Sequence, residues 1–476
     1  MTIAAKLPTR IKIFHGLGSI AYGVKDNGFS TFLLLFYNQV IGLDARLVSL
    51  ALTIAMIADA FADPLIGYFS DRTHTRWGRR LPWMYVCAIP LGLAWMLLWV
   101  NPQGMGDGAF FYLLVTAFFV RILVSAVEVP NAALVPELTA DYDERTAIMR
   151  FRYLFGWAGG LLLLFLAYDV FLVPSAEYPI GQLNPEGYWN YGLCGALLMV
   201  VSVLLAAFGQ HKRVAHYPKE RTVAKHKGGA FGEIYEALSH PAAVILLLGA
   251  AFAYVSQGIT FSISNYLYIF VWKFSAGAFA LYPLLLMASV VASFLLVTPL
   301  VARFGKRAVV IGGGLIGMCF WTTPFVLKLV GFWPETGTNL STGMVFAFSF
   351  VSNCTSVMAM IAAQSMVADL VEASEVKTGK RAEGVFSAGW FFVQKCGVGI
   401  GILFSGLAVH WSGLPAKAVP ADVPVAVIEN MMMFYAAAIV VLAIAAAIVF
   451  RRFPIGRDDH DERLRQLAGQ KKQLKR

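Results

Sequence analysis

Residues 55–82 read AMIADAFADPLIGYFSDRTHTRWGRRLP, and this stretch decides how the rest of the chain is organised. Its first part has the pattern of an apolar helix carrying Asp59 and Asp63. Its second part is a short basic turn with Asp71, Arg72, Arg76, Arg79 and Arg80. A spacing of four puts Asp59 and Asp63 one turn apart on the same helical face. A carboxylate at the centre of a membrane-spanning helix costs roughly 2.5–3.5 kcal/mol on insertion scales. Two on one face need a positive neighbour or a proton each, so the pattern points to a cation site. The basic turn marks where the helix leaves the membrane.

Working outward, the 476-residue chain is 58% hydrophobic and 14% charged, against about 25% charged in a soluble protein. Apolar runs long enough to span a bilayer recur along its length, and the alternation of a membrane β-barrel is absent. The expected fold is therefore an all-α membrane protein of twelve transmembrane helices. The spans are expected at 11–40, 47–70, 82–100, 110–136, 149–173 and 188–209, then at 241–271, 276–301, 309–330, 342–369, 384–411 and 425–450. A net charge of +10 could indicate a nucleic-acid binder, but the positive residues fall in short connections between apolar runs, and no nucleic-acid fold motif is present. Lys and Arg concentrate in alternate connections. An even number of spans then puts both termini on the Lys/Arg-rich side, expected to be the cytoplasm, in a multi-pass protein of the cell (inner) membrane. The five cysteines stand alone within apolar runs and read as packing residues. The N-terminus shows no pattern of a cleaved signal peptide.

The connector HKRVAHYPKERTVAKHKGG divides the chain. The expected units are a six-helix bundle at 1–210, a cytoplasmic connector at 211–238, a second bundle at 239–451 and a cytoplasmic tail at 452–476. The halves echo each other: GYFSDRTHTRWGRR follows the second span and PLVARFGKR the eighth, while PELTADYDERTAIMR follows the fourth and ADLVEASEVKTGKRAEG the tenth. Repeats of this kind place a substrate path at the interface between the halves.

The turn Gly67-x-x-x-Asp71-Arg72 … Gly78-Arg79-Arg80 resembles the loop signature of the major facilitator superfamily. With Asp59-x-x-x-Asp63-Pro64 ahead of it and Arg76-Trp77-Gly78 inside it, it is similar to the glycoside–pentoside–hexuronide:cation symporters and extends to their lysolipid-transporting relatives. The resemblance covers nearly the whole chain and implies two pseudo-symmetric six-helix bundles. It carries a cation-binding role to Asp59, Asp63, Ser125 and Lys395, and a substrate role to Arg152 and Asp26. Glu128 falls on an acidic position used for sugar hydroxyls and is a candidate for both sites. Ala62 stands where the family pattern has an amide ligand, and Ala132 where it has a tryptophan against the sugar, so the ion stays open between Na⁺ and H⁺. If the ion is Na⁺, Asp59 and Asp63 are its metal ligands.

The same residues can be weighed by chemistry alone. Carboxylates supply a hard cation with both charge and oxygen ligands, and a lysine that pairs with one of them when no cation is bound would give two states of different free energy. Trp390 and Tyr153, near Lys395 and Arg152 in sequence, are candidates for stacking on a sugar ring. Glu128 can also pair simply with Arg121 or Arg152. Asp71, Arg72, Arg79 and Arg80 are expected to act as a gate latch reaching the neighbouring bundle, with Glu137, Asp369 and Glu372 as partners. Gly397-x-Gly399-x-Gly401, inside a span with no strand before it, reads as a close helix contact rather than a dinucleotide loop. No cofactor, catalytic constellation or nucleic-acid partner is expected. The reading is a cation-coupled symporter of a glycoside, sugar or sugar acid, functional as a monomer in the bilayer. The alternatives are a lysolipid or amphiphile symporter and a membrane receptor that does not transport.

Overall fold

The computed structural model describes residues 7–100, 106, 108–139, 142–214, 241–378 and 383–454, with side chains at 142, 143, 146, 372–378 and 383–385 excepted. Most of the expected connector and tail, and the side chain of Glu372, lie outside the described residues. Eleven described helices are long and apolar enough to cross a membrane. They are α2 (Ala45–Arg72), α3 (Leu81–Leu98), α4 (Gly108–Ala133), α5 (Tyr142–Leu166), α6 (Pro185–Val214), α7 (Pro241–Tyr266), α8 (Ala276–Phe304), α9 (Lys306–Leu329), α10 (Asn339–Thr378), α11 (Glu383–Trp411) and α12 (Val425–Arg451). The remaining span, α1, covers 9–41 as the consecutive segments Thr9–Leu17, Ile20–Asn27, Gly28–Phe32, Leu33–Leu35 and Phe36–Ile41, the third and fifth wound as π-helix. π-Segments inside helices often occur at functional sites, and the first of these closely follows Lys25 and Asp26.

Most boundaries fall within a few residues of the sequence expectation. The two large departures are α5, which starts at Tyr142 rather than 149, and α10, which runs to Thr378 rather than stopping at 369. Both extensions are polar helix beyond the apolar run, which hydropathy does not register. Local chemistry sets the ends of α1 and α2. Gly42, at φ 100°, closes α1 with its N–H on the Tyr37 carbonyl (3.1 Å), and Asp44 caps α2 by accepting the Arg46 N–H at 2.8 Å. Pro64, one residue past Asp63, removes the backbone donor that would bond Ala60, so α2 is loosened at the level of the two aspartates.

Glycines bring helices together where the sequence placed them. A Cβ on Gly401 of α11 would collide with the Val255 carbonyl of α7, and one on Gly160 of α5 would stand 2.6 Å from the Gly23 carbonyl of α1. Without an apolar driving force in lipid, this close backbone approach is what holds such pairs.

The first six helices meet the last six along α2 and α11, α1 and α7, and α5 and α8. Besides the Thr53 hydroxyl on the Gly399 carbonyl (2.8 Å) and the bonds Lys395 makes to the first half, a set of polar bonds across this junction clusters at one end. Gln39 donates to the Pro415 carbonyl (3.1 Å) and accepts from the Ala418 N–H (2.9 Å). Asn265 donates to the Thr31 carbonyl (2.9 Å) and accepts from the Tyr168 hydroxyl (2.7 Å), while the Tyr266 hydroxyl bonds the Leu34 carbonyl (3.1 Å) and Asn38 (3.0 Å). All lie at the end opposite the basic turns. One apolar cluster runs through both sets of six helices. A second is drawn from α7–α12 alone and sits toward the basic-turn end, from Ala242 to Phe453. The halves are thus fastened at one end and pack separately toward the other.

Candidate ion and solute site

α2 presents Asp59 and Asp63 to a point where α4 and α11 meet it. Asp59 is 1% exposed. Its Oδ1 accepts the Ser125 hydroxyl at 2.7 Å, and its Oδ2 receives Arg121 Nη1 at 2.9 Å and Lys395 Nζ at 3.0 Å. Lys395 also pairs with Asp63 Oδ2 at 2.6 Å and reaches the Ser125 oxygen at 3.4 Å. Asp63 Oδ1 is buried and has no hydrogen-bond partner. The structure therefore brings Asp59, Asp63, Ser125 and Lys395 together, as the resemblance implied. The charge balance differs from the sequence expectation, which sets the carboxylates against Lys395 alone: Arg121 supplies a second positive charge, and the group of four ionised side chains is neutral.

Arg121 is the residue that sequence reasoning missed, since spacing along α4 suggests it only as a partner for Glu128. It is 1% exposed, and its guanidinium stands 4.6 Å from the Phe29 ring centroid. The signal was available: an arginine inside an apolar span falls under the rule that marked Asp59 and Asp63.

Glu128 does not join this group. It pairs with Arg152, whose Nε also donates to the Ser19 hydroxyl at 3.3 Å, and Ser19 donates to Glu128 Oε1 at 3.3 Å. Its partner lies on α5, and its other oxygen, Oε2, is buried without a hydrogen-bond partner. Lys25, 3% exposed, lies 3.6 Å from Asp26 and over the Tyr22 ring at 4.1 Å. The Asp26 side chain is 53% exposed. Tyr153 is half exposed. Trp390, the other stacking candidate, is largely covered in this conformation. It is 3% exposed and packs edge-on against Tyr254 at 5.8 Å, with an edge lining a cleft beside Gln364 and Phe391.

In this conformation the basic turn is latched within the first half, to the expected partner Glu137. Arg79 and Arg80 both hold Glu137, at 2.9 and 3.2 Å, and Arg80 also holds Asp71 at 2.8 Å. Arg72 lies over the Tyr68 ring at 3.7 Å. These ties join α2 to the end of α4 within the first half. Asp369 pairs with Lys306 at 2.6 Å, the same arrangement within the second half. The reason is reach: Glu137 and Asp369 lie on the segments that pack beside the two turns.

With the fold and site in place, the sequence pattern of the MFS/sugar transport protein family matches residues 14–457. The chain belongs to that family. Among relatives of this transporter, an uncharacterized symporter of Synechocystis is 26% identical, the alignment covering 89% of each chain. The isoprimeverose transporter of Lactiplantibacillus pentosus is also 26% identical, over 86% of this chain and 82% of its own. The crystal structure of a point mutant of the nucleoside transporter NupG matches the fold with a TM-score of 0.66 at 15% identity, covering 93% of this chain and 99% of that one. The resemblance to glycoside–pentoside–hexuronide:cation symporters of the major facilitator superfamily is borne out. Among its described residues the transporter holds no group of three or more His, Cys, Asp or Glu side chains placed to bind a metal ion.

Proposed function

We propose that this transporter couples uptake of a glycoside or sugar acid to entry of one cation, by alternating access of two six-helix halves. The observation that carries the reading is Lys395. It stands on α11, in the second half, and pairs with Asp59 and Asp63 on α2, in the first. An ion taken by the aspartates competes with that lysine, so ion binding changes the strength of a tie between the halves. A ligand shifts a two-state equilibrium only through such a difference in affinity.

The fastened end and the separately packed basic-turn end support a conformation open toward the basic turns, which the distribution of Lys and Arg assigns to the cytoplasm. Both termini and the connector then lie on that side. The Glu128–Arg152–Ser19 cluster, exposed Asp26 and Tyr153 would line the solute path. A charged side chain exposed at mid-span is tolerated beside a water-filled cavity rather than lipid, which favours Asp26 on the cavity side. Arg152 supplies a donor fork suited to a carboxylate or to vicinal hydroxyls.

The test is uptake by the purified protein in liposomes, monodisperse as a monomer, against a panel of glycosides, uronides and lysolipids under imposed Na⁺ or H⁺ gradients. Concentrative uptake of a glycoside or uronide, lost in Asp63→Asn, is the expected result. Competition by lysolipids alone would move the substrate to an amphiphile, and no counterflow of any solute would remove the transport reading for this chain.

A further inference from the structure

We propose that Arg121 is a built-in counter-cation that stands on Asp59 where a metal ion would otherwise sit, so that the coupling ion is a single proton taken by Asp63. This rests on the reading of Asp59, Asp63 and Lys395 as the ion site.

The argument is an inventory of oxygens and charges. A metal cation in a protein is held by several oxygen ligands at once, whereas a proton needs one. Of the four carboxylate oxygens, Asp59 Oδ1 is engaged by Ser125, Asp59 Oδ2 by both Arg121 and Lys395, and Asp63 Oδ2 by Lys395. Asp63 Oδ1 alone is buried and unpartnered. Arg121 does not give up its charge, because a guanidinium stays protonated in proteins. It is also fixed in place: 1% exposed, set against the Phe29 ring, with Nε and Nη2 buried and unpartnered. Leaving Asp59 would strand that charge inside the bundle, a more costly outcome than any exchange at Asp63. Lys395 is different. Its side chain is 16% exposed and divided between two carboxylates, so it can move wholly onto Asp59 when Asp63 is neutralised.

The step balances simply. A proton adds to Asp63 Oδ1, converting the carboxylate to the acid, and Lys395 keeps its own proton while losing one of its two ionic partners. Release to the other side is the reverse. The groups that bear on Asp63 are Asp59 on its own helix, Lys395 on α11 and Ser125 on α4, and those that bear on Asp59 are Arg121 on α4 and Lys25 on α1. Tyr22 of α1 and Glu128 of α4 complete the surroundings, Tyr22 being within reach of Asp26, Glu128, Arg121 and Asp59. Arg121 thus acts as a positioning residue that sets ion identity rather than as an ion ligand.

The inference is tested without a transported solute, by thermal unfolding of the purified full-length protein in detergent with NaCl against choline chloride at equal ionic strength. Wild type and Arg121→Lys are expected to show no Na⁺-specific shift. Arg121→Gln frees Asp59 into a two-carboxylate site and is expected to gain a saturable Na⁺-specific rise of about 2 °C or more, abolished by adding Asp63→Asn. A Na⁺-specific rise in wild type overturns the proposal, as does a folded, monodisperse Arg121→Gln with no Na⁺ response. Should Arg121→Gln not fold, liposomes under an imposed proton gradient decide: wild-type uptake of the best glycoside in the panel should fall about tenfold with a protonophore and stay unchanged when Na⁺ is replaced by choline. The opposite pattern overturns it. Gradient-driven uptake that survives Asp63→Asn would instead sink the assignment of the ion site itself.

Discussion

The two halves share a helix pattern and a pair of matching latches, yet they divide the chemistry unequally. α1, α2, α4 and α5 supply Lys25, Asp26, Asp59, Asp63, Arg121, Glu128 and Arg152, while the second half contributes Lys395 to the same centre. The second half instead has an apolar cluster of its own, with Trp390 packed inside it. Both halves are built on six membrane-spanning helices. Specialisation concentrated the buried charge in one and left the other to bring a single ammonium group to it. A mobile tie between two rigid bodies is what coupling by alternating access requires.

This contrast can be broken at its strongest point first. Asp63→Asn is expected to lower concentrative uptake by about 100-fold while leaving solute exchange within a few-fold, because the coupling is lost and the path is not; gradient-driven uptake and counterflow measured side by side separate the two. Lys395→Gln removes the second half's contribution and strands carboxylates, so a loss on the order of 3 kcal/mol is expected in detergent unfolding. Combining it with Asp63→Asn should recover part of that loss, since contacting residues do not add. The latches compare the halves directly. Arg80→Gln, which releases both Asp71 and Glu137, should cost about 1 kcal/mol, and Lys306→Gln, whose lysine side chain is 31% exposed, less than that; equal thermal shifts would contradict this ranking.

A comparably small effect is expected at the fastened end. Asp44→Ala should cost about 1 kcal/mol as a lost helix cap and Asp44→Asn far less. Partial burial by itself would raise the Asp44 carboxyl, but the Arg46 hydrogen bonds and charge, with His410 of α11 at 3.4 Å, hold it below its ordinary value. A depressed carboxyl contributes stability above its ordinary pKa, near ~3.9, and loses it as pH falls below that range. Unfolding midpoints between about pH 5 and 3 should therefore fall more for wild type than for Asp44→Asn.

Much of the architecture was legible in the order of residues. Apolar runs long enough to span lipid, interrupted by basic turns, leave few alternatives, because a backbone in lipid must bond within its own segment. The paired aspartates were legible for the same reason, since a buried charge is too costly to be incidental. The glycine runs were legible as contacts because only their lack of a side chain permits such approach. Which charge meets which was not in the sequence. Arg121 was visible, but nothing in its position showed that it would reach Asp59 rather than Glu128, a question of helix rotation and tilt set by packing. The latches closing within each half, and Trp390 turning into a packed core, were decided in the same way. Sequence spacing determines which residues share one helix face, while the partner across the gap depends on how the helices are assembled.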